Sequence, residues 1–389
     1  MLSNCALFRR ALLGSAMALS VFASAASAKQ GFTVVHDFAG GPGDGDTPLV
    51  GVTFDDAGDL FGVTYVGGAN DLGTLFKIAP DGTETIVRSF GNGNDGAFPR
   101  SQPAIHKAGN IYGTTNGGGG STNCDGGCGT IWEYSASGKY KVLHKFDFTD
   151  GSQPVGQLLR DSAGNLYGIA TNGGPNNQGE VFEYTAGGKF KVLHTFAGTD
   201  GAYPECSLIQ DRAGNIYGTT EGGGSNNNGT VFDIPSGGGF TTLYSFTGGN
   251  DGANPVGGLA RDKSGTLYGT AENAGANSAG TVFSLTPGGA FTTLYSFAGG
   301  TDGANPQGDI LRIKNTLYGA TSAGGDSNNY GTLYKVDIAG GTDTVLHRFA
   351  GTDGSTSVSK LAKSHGKLYG ATAYGGADDN GVVFSLNSK

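Results

Sequence analysis

One short motif returns along most of the chain and limits its fold more than any other feature. The triplet Leu/Ile-Tyr/Phe-Gly occurs seven times, and successive copies are 50 to 55 residues apart. A period of this length with an aromatic-glycine signature is typical of propellers and solenoids, which repeat one supersecondary unit. The glycines of the seven copies are Gly62, Gly113, Gly168, Gly218, Gly269, Gly319 and Gly370.

Each period contains four short apolar runs that predict four strands, here called a, b, c and d. In the fourth period the runs are 205–211, 216–220, 229–234 and 240–246. They are rich in β-branched and aromatic residues and are bounded by Gly, Asn, Asp and Ser, which is typical of strands joined by turns. The chain has 74 glycines among 389 residues, and glycine supplies the positive φ angles that tight turns need.

The two ends of the repeat predict a closed ring. The first d run, residues 32–38, precedes any a, b or c run, and the last c run, 381–387, has no d run after it. The first strand can therefore complete the last blade and remove open sheet edges, whereas a solenoid needs polar capping repeats. We predict an all-β, seven-bladed β-propeller of four-stranded blades, closed by the N-terminal strand 32–38 and forming one domain over residues 29–389.

Residues 1–28 differ from the repeat and predict a cleaved signal peptide. Arg9 and Arg10 precede an apolar run over 11–23, which is too short to span a bilayer, and Ala-Ser-Ala at 26–28 offers a cleavage site. We therefore expect a secreted or periplasmic protein. Cleavage removes two arginines and moves the net charge from −9 to −11. Because the chain is acidic, we expect no nucleic-acid partner and no membrane contact after cleavage. We also expect a monomer.

The repeat unit also carries a resemblance. Residues 216–232 and 166–182 follow the pattern [LI]-Y-G-T-T-x-x-G-G-x-x-N-x-G-T-V-F best. This pattern is similar to the GloVer-type tandem repeat of exported bacterial proteins. The resemblance implies export and a propeller fold, and it implies no agreed activity.

The order of the strands places the long d–a and b–c loops on one face, which is the candidate functional face. Where strand a begins beside the central channel, Arg100, Glu205, Asp309 and Lys360 interrupt a pattern of apolar or small residues. These four residues are candidate binding residues, and the alternative is that they are solvated charges at the rim.

Two aromatic residues, Phe98 and Tyr203, precede the recurring proline of the d–a loop in their blades. Beside Asn-rich loops they could stack on a sugar, or they could pack between blades. The Asp-Gly of every d–a loop is interpreted as a turn cap, since every blade has it. Four histidines share one position of strand d, away from the channel, so we expect no metal site and no cofactor. These histidines are His36, His144, His194 and His347.

The cysteines predict one local disulfide. Cys124 and Cys128 lie in the longest b–c loop, and an exported chain meets an oxidising compartment. Cys206 lies at a small position of strand a and is predicted to be a buried thiol.

Two functions remain open from the sequence. The first is a non-catalytic binding or scaffold propeller that engages an extracellular glycan or protein on the loop-bearing face. The second is a propeller lyase or hydrolase that acts on an extracellular polysaccharide or lactone at the channel, with Arg100, Glu205 and Asp309 as candidate residues. Paired carboxylates for such chemistry meet only in space, so sequence spacing does not exclude them.

Overall fold

The computed structural model describes residues 31–91, 94–106 and 108–388. Apart from one 3₁₀ turn, Gly300–Asp302, the regular structure in these ranges is β. The strands are, in chain order, β1 Thr33–Asp37, β2 Gly45–Asp46, β3 Thr53–Phe54, β4 Leu60–Thr64, β5 Val66–Gly67, β6 Thr74–Ile78, β7 Glu84–Ser89, β8 Ala97–Pro99, β9 Ala104–Ile105, β10 Ile111–Gly117, β11 Thr130–Tyr134, β12 Tyr140–Lys145, β13 Ser152–Arg160, β14 Leu166–Asn172, β15 Glu180–Tyr184, β16 Phe190–Thr195, β17 Ile209–Gln210, β18 Ile216–Thr220, β19 Thr230–Ile234, β20 Thr241–Ser245, β21 Ala260–Arg261, β22 Leu267–Ala271, β23 Thr281–Leu285, β24 Phe291–Ser296, β25 Leu311–Ile313, β26 Thr316–Thr321, β27 Thr332–Asp337, β28 Asp343–Arg348, β29 Ala362–Ser364, β30 Lys367–Thr372 and β31 Val382–Asn387.

These strands form seven antiparallel blades, as predicted. Blade 1 contains β3, β4, β6 and β7, and blade 2 contains β10 to β12 with β8 and β9 both paired to β10. Blades 3, 4, 5 and 6 contain β13–β16, β17–β20, β21–β24 and β25–β28. Blade 7 contains β29, β30 and β31 and is completed by β1, while β2 and β5 make a small ribbon in the loops of blade 1.

The closure of the ring by the N-terminal strand is confirmed. In the antiparallel pair of β1 and β31, Val34 lies opposite Phe384 and Asp37 opposite Val382. The signal peptide predicted over residues 1–28 lies outside the described residues. No helix in the described ranges has the length and apolar character needed to cross a membrane.

The glycine of the repeated triplet makes room for an aromatic ring of the neighbouring strand. A Cβ on Gly218 would lie 2.6 Å from Cζ of Phe232, far inside van der Waals contact. Each of the seven glycines lies against such a ring, which is buried in every blade. The period of the sequence is therefore the period of this contact. The seven rings are those of Phe76, Trp132, Phe182, Phe232, Phe283, Tyr334 and Phe384.

Each outer strand contains a β-bulge, which the alternation of the sequence did not predict. Val34 pairs with Phe384 and His36 with Val383, so Val35 is the extra residue in β1. Side chains of a strand alternate between its faces, and a bulge shifts that alternation by one residue. The first residue of an outer strand and the residue four positions later therefore face opposite neighbouring blades. In β16, Phe190 stacks on His144 of blade 2, whereas His194 stacks on Phe240 of blade 4.

The Asp-Gly aspartates are turn caps, as the sequence indicated. Asp200 accepts hydrogen bonds from the N–H of Ala197 at 2.8 Å and from Nε2 of His194 at 2.9 Å. Equivalent backbone and side-chain contacts recur in the other six d–a loops. The side chain that contacts the aspartate is the outer-strand residue just after the bulge, which is His36, Arg88, His144, His194, Tyr244, Tyr295 or His347.

An aromatic ring from the next blade covers that side chain at five of the seven junctions. The covering residues are Phe32, Tyr140, Phe190, Phe240 and Phe291. The equivalent position holds a carboxylate in the other two, Glu84 beside His36 and Asp343 beside Tyr295. One oxygen of each carboxylate is buried without a hydrogen-bond partner. A buried carboxylate in place of a ring is costly unless something compensates it.

Asp343 should make the stability of the propeller depend on pH. Burial, followed by repulsion from Asp302, raises the pKa of Asp343 from 3.8 to about 7. The folded state thus favours the neutral acid, and this contribution to stability is fully present below about pH 4 and lost as the pH rises through about 7. Asp343→Asn should therefore raise the melting temperature, relative to the parent protein, more at pH 8 than at pH 5.

Thermal unfolding at the two pH values checks this expectation. Asp378→Asn is the matched control, because Asp378 is exposed, and it should change the melting temperature little at either pH. An equal effect of Asp343→Asn at both pH values would contradict the raised pKa of Asp343 in the folded chain.

Candidate ligand site at the channel mouth

The backbone before strand a is locked in an uncommon conformation that fixes the loop-bearing face. In every blade the residue before the proline, or before Ser357 in blade 7, has a φ of 54° to 58°. Side chains other than glycine rarely adopt this left-handed region. Tyr203 is held there because its N–H donates to the Gln178 carbonyl and its own carbonyl accepts from the N–H of Glu221, at 2.8 and 3.0 Å. The d–a and b–c loops therefore share one face, as predicted.

The four charged residues predicted at the channel come together as two ion pairs between blades. Arg100 Nη2 of blade 2 lies 3.5 Å from Glu205 Oε2 of blade 4. Lys360 Nζ of blade 7 lies 3.5 Å from Asp309 Oδ2 of blade 6 and 3.5 Å from Gln157 Oε1 of blade 3. Side chains of non-adjacent blades thus meet over the axis of the ring. Their role in binding stays a prediction.

Both carboxylate oxygens of Asp309 contact residues of neighbouring blades. Its Oδ1 accepts a hydrogen bond of 2.6 Å from the N–H of Gly258, and its Oδ2 pairs with Lys360. Gly258 carries no side chain in this space, since a Cβ there would lie 2.7 Å from the Asp309 carboxylate. Asp309 therefore joins the segments that precede β21 of blade 5 and β25 of blade 6, and it orients Lys360.

Two further carboxylates, Glu221 and Glu272, line the same pocket and were not among the predicted residues. Burial raises the pKa of Glu221 to about 7, and the nearby Glu205 and Glu272 add to this shift while Arg100 opposes it. Burial also raises the pKa of Glu272, although Gln307 donates a hydrogen bond of 2.7 Å to its Oε1. At neutral pH the pocket therefore contains a carboxyl group, Glu221, that is poised between its acid and base forms.

A sequence signal for these two residues exists. They occupy the third position after the glycine of the repeated triplet, and this position varies strongly from blade to blade, whereas the position before it is always Thr or Ala. Variation on a regular scaffold is the signal that picked out Arg100 and Glu205. The residues at this position are Tyr65, Asn116, Thr171, Glu221, Glu272, Ser322 and Ala373.

The two aromatic candidates, Tyr203 and Phe98, lie in different places in the structure. Tyr203 lies at the pocket wall, where Gln178 donates to its hydroxyl at 3.4 Å. Phe98 lies instead under the loop that contains Cys124, and its ring packs against Tyr65 with centroids 5.2 Å apart. Tyr374, which was not predicted, lines the pocket and is the one large apolar side chain classed as exposed within the described ranges, at 46%. Tyr203 and Tyr374 therefore line the pocket, as does the half-buried Phe148.

These residues enclose an open depression of about 1210 Å³. Its charged lining residues are two cations, Arg100 and Lys360, and five acids, of which Asp125 lies in the Cys124 loop. We call it the channel-mouth pocket. Its remaining acids are Glu205, Glu221, Glu272 and Asp309, and its amide side chains include Gln102, Gln157 and Gln307. The surplus of carboxylates disfavours a polyanionic ligand.

The loop over one side of the pocket is fixed by the predicted disulfide. Cys124 and Cys128 are joined, with their Cα atoms 5.1 Å apart. Cys206 is a free, buried thiol, as predicted, and burial raises its pKa to about 11. Its Sγ accepts a hydrogen bond from the Thr219 N–H at 3.2 Å, which ties strand a to strand b.

The repeat, its fold and its spacing agree with one family model, described as the Gloeobacter/Verrucomicrobia repeat. The model matches three overlapping segments, residues 14–232, 122–330 and 206–389. The chain belongs to this family. No curated protein matches this chain.

Solved structures similar to this Gloeobacter/Verrucomicrobia repeat protein share its fold at low sequence identity. Virginiamycin B lyase from Staphylococcus aureus superimposes with a TM-score of 0.62 at 14% identity, over 92% of this chain and 100% of the lyase. The extracellular domain of a one-component system from B. thetaiotaomicron gives 0.57 at 16% identity, over 92% of this chain and 42% of that one. At such identities the likeness shows the propeller fold and leaves function to the site.

Proposed function

We propose that this propeller is an exported binding protein that holds an uncharged or amino-bearing glycan in the channel-mouth pocket. The observation that carries the proposal is the lining of this pocket, which combines aromatic rings, one of them exposed, with amides and carboxylates from different blades. Tyr203 and Tyr374 offer ring faces, while Gln157, Gln307 and Glu205 offer hydrogen-bond partners. Sugars are recognised by stacking of this kind together with planar polar groups.

Export is part of the proposal and rests on separate observations. The chain has a disulfide, which forms in oxidising compartments. One similar structure is an extracellular domain. The 28 N-terminal residues have the pattern of a signal peptide.

A glycan-binding measurement tests the proposal. The purified protein is titrated calorimetrically with neutral, amino and uronic oligosaccharides, and we expect saturable binding to a neutral or amino glycan and none to a uronic one. Tyr374→Ala should weaken that binding about tenfold, which corresponds to about 1.4 kcal/mol. Lys191→Ala, an exposed change on the outer strand of blade 3, is the matched control and should leave it unchanged. Binding of uronic glycans alone, or an affinity that Tyr374→Ala does not alter, would contradict the proposal.

One observation favours hydrolysis of the glycan as a second candidate function. Glu221, with its pKa near 7, lies in the electrostatic field of Glu205 and Glu272. When their environments give two neighbouring carboxyl groups different pKa values, one group can act as the acid and the other as the base at a glycosidic bond. In this case the general acid is Glu221, while the carboxylate of Asp309 contacts the Gly258 N–H and Lys360.

An assay for new reducing ends separates the two functions. If the parent protein releases reducing ends and Glu221→Gln still binds the glycan but no longer releases them, the protein is an enzyme. If binding is present and no reducing ends form with any bound glycan, the binding function stands alone.

A further inference from the structure

Outside the channel, the junction between blade 7 and blade 1 differs from the other six. His36 follows the bulge of β1, Asp44 caps the d–a loop, and Glu84 begins the outer strand of blade 1. One ligand-type atom from each of these three side chains lies within 4.8 Å of the other two. Imidazole nitrogen and carboxylate oxygen are ligands of zinc and related divalent transition metals.

The spacing of His36 and Asp44 is also unlike that of the matching pairs. His36 Nε2 lies 3.4 Å from both carboxylate oxygens of Asp44. The equivalent distances are 2.8 Å for His144–Asp150, 2.9 Å for His194–Asp200 and 3.0 Å for His347–Asp353. Two ligand atoms of a tetrahedral zinc site, each about 2.0–2.1 Å from the metal, are about 3.3 Å apart. The His36–Asp44 pair thus has the separation of two zinc ligands, while the other three have that of direct hydrogen bonds.

Glu84 supplies an independent observation. Its Oε1 is buried and has no hydrogen-bond partner. In three other blades an aromatic ring at this position stacks flat on the histidine, as Phe240 does on His194 with centroids 3.7 Å apart. At the His36 junction that ring is replaced by an unpaired carboxylate that faces the pair. A buried carboxylate oxygen without a hydrogen-bond donor is costly, and a bound metal cation would compensate its desolvation.

We propose that His36, Asp44 and Glu84 form a binding site for a divalent transition metal such as Zn²⁺. His36 Nε2 and one oxygen from each carboxylate are the three protein ligands, and water completes the tetrahedron. The site lies where the N-terminal strand closes the ring, so the metal joins β1 of blade 7 to the outer strand of blade 1. This proposal departs from the sequence-based expectation of no metal site, which considered the histidines only in relation to the channel.

Zinc titration of the protein, purified without a histidine tag and stripped with EDTA, tests the site. Isothermal titration with ZnCl₂ should show one saturable equivalent per chain, and saturating ZnCl₂ should raise the melting temperature. MgCl₂ and CaCl₂ should do neither, because a site with imidazole and few oxygen ligands suits softer ions. Glu84→Gln should weaken zinc binding about tenfold or more, since it removes a charged ligand.

Glu84→Phe is the sharpest variant, because it installs the ring that the other histidine junctions contain. It should fold at least as well as the stripped parent protein, with the introduced ring stacked on His36, and should lose the zinc response completely. Asp343→Phe makes the same exchange at the Tyr295 junction and should keep the parent's zinc affinity. The proposal is overturned if the parent protein shows no saturable zinc binding. It is equally overturned if Glu84→Phe retains the parent's affinity, or if Asp343→Phe loses zinc binding as completely as Glu84→Phe.

Discussion

A chain that starts after Gly40, and therefore lacks β1, is expected not to form a stable monomer. Phe38 is fully buried and packs edge-on against Phe76 of blade 1, with ring centroids 5.1 Å apart. Phe32 stacks on His347 of blade 6. Burial of each large apolar side chain contributes roughly 1.5–3 kcal/mol, while a whole domain is stable by only about 5–15 kcal/mol. The deletion also leaves β31 as an unpaired edge, which favours aggregation.

Size-exclusion chromatography and thermal unfolding measure this effect. A matched deletion that ends at Gln30 keeps β1 and should behave as the parent protein. A synthetic peptide of residues 31–40, added to the short chain, should raise its melting temperature by restoring the missing strand. A monomer that lacks β1 and melts at the parent's temperature would show that pairing of β1 with β31 does not stabilise the ring.

Gly218→Ala is expected to destabilise the propeller by about 1–3 kcal/mol, although it adds a single methyl group. The new Cβ would lie 2.6 Å from Cζ of Phe232 and 2.9 Å from Cδ2 of Leu208, and both side chains are buried. Closely packed interiors cannot absorb such overlap without moving side chains or backbone. Urea unfolding measures the change in the free energy of unfolding.

The control for Gly218→Ala is Gly237→Ala in the c–d turn of the same blade. A Cβ at Gly237 meets nothing within 4 Å, and its φ is not in the left-handed region. This variant should change the free energy of unfolding by no more than about 0.5 kcal/mol. Combining Gly218→Ala with Phe232→Leu should lower the free energy of unfolding by less than the sum of the two single changes, because the smaller leucine side chain leaves room for the added methyl group. Strict additivity would mean that the ring contact does not explain the glycine.

The repeat predicted the fold well because the same local contacts recur in every blade. Each copy has a glycine under an aromatic ring, such as Gly218 under Phe232, and an aspartate that caps its loop, such as Asp200. Strand length, turn chemistry and ring closure follow from residues that are close in sequence or related by the period. The outer-strand bulge is different. The sequence predicts one regular strand over residues 32–38, whereas Val35 interrupts the pairing of β1 with β31.

The candidate sites depend on contacts that the period does not encode. Arg100 and Glu205 pair across an intervening blade, and the pKa of Glu221 follows from its burial among residues of three blades. Glu84 stands where most other blades have an aromatic residue, and the sequence alone can show this difference. Its proximity to His36 and Asp44 depends on how blade 7, which contains β1, packs against blade 1. Deviations from a repeat thus point to candidate residues, but only the structure shows which of them meet.

The pairing of β1 with β31 has a consequence for the order of folding. Val34 and Phe384 are 350 positions apart in the chain, so the seventh blade cannot be completed until β31 has been synthesised. Blades 1 to 6 consist of local hairpins and can form as the chain is extended. During this time the strand that pairs with β1 has not yet been synthesised. The equilibrium penalty is small, because lengthening a flexible loop from about 50 to about 350 residues costs only about 1.7 kcal/mol in closure entropy. We therefore expect the last sheet to be slow to form rather than weak, with β1 exposed to proteases and to other chains until β31 arrives.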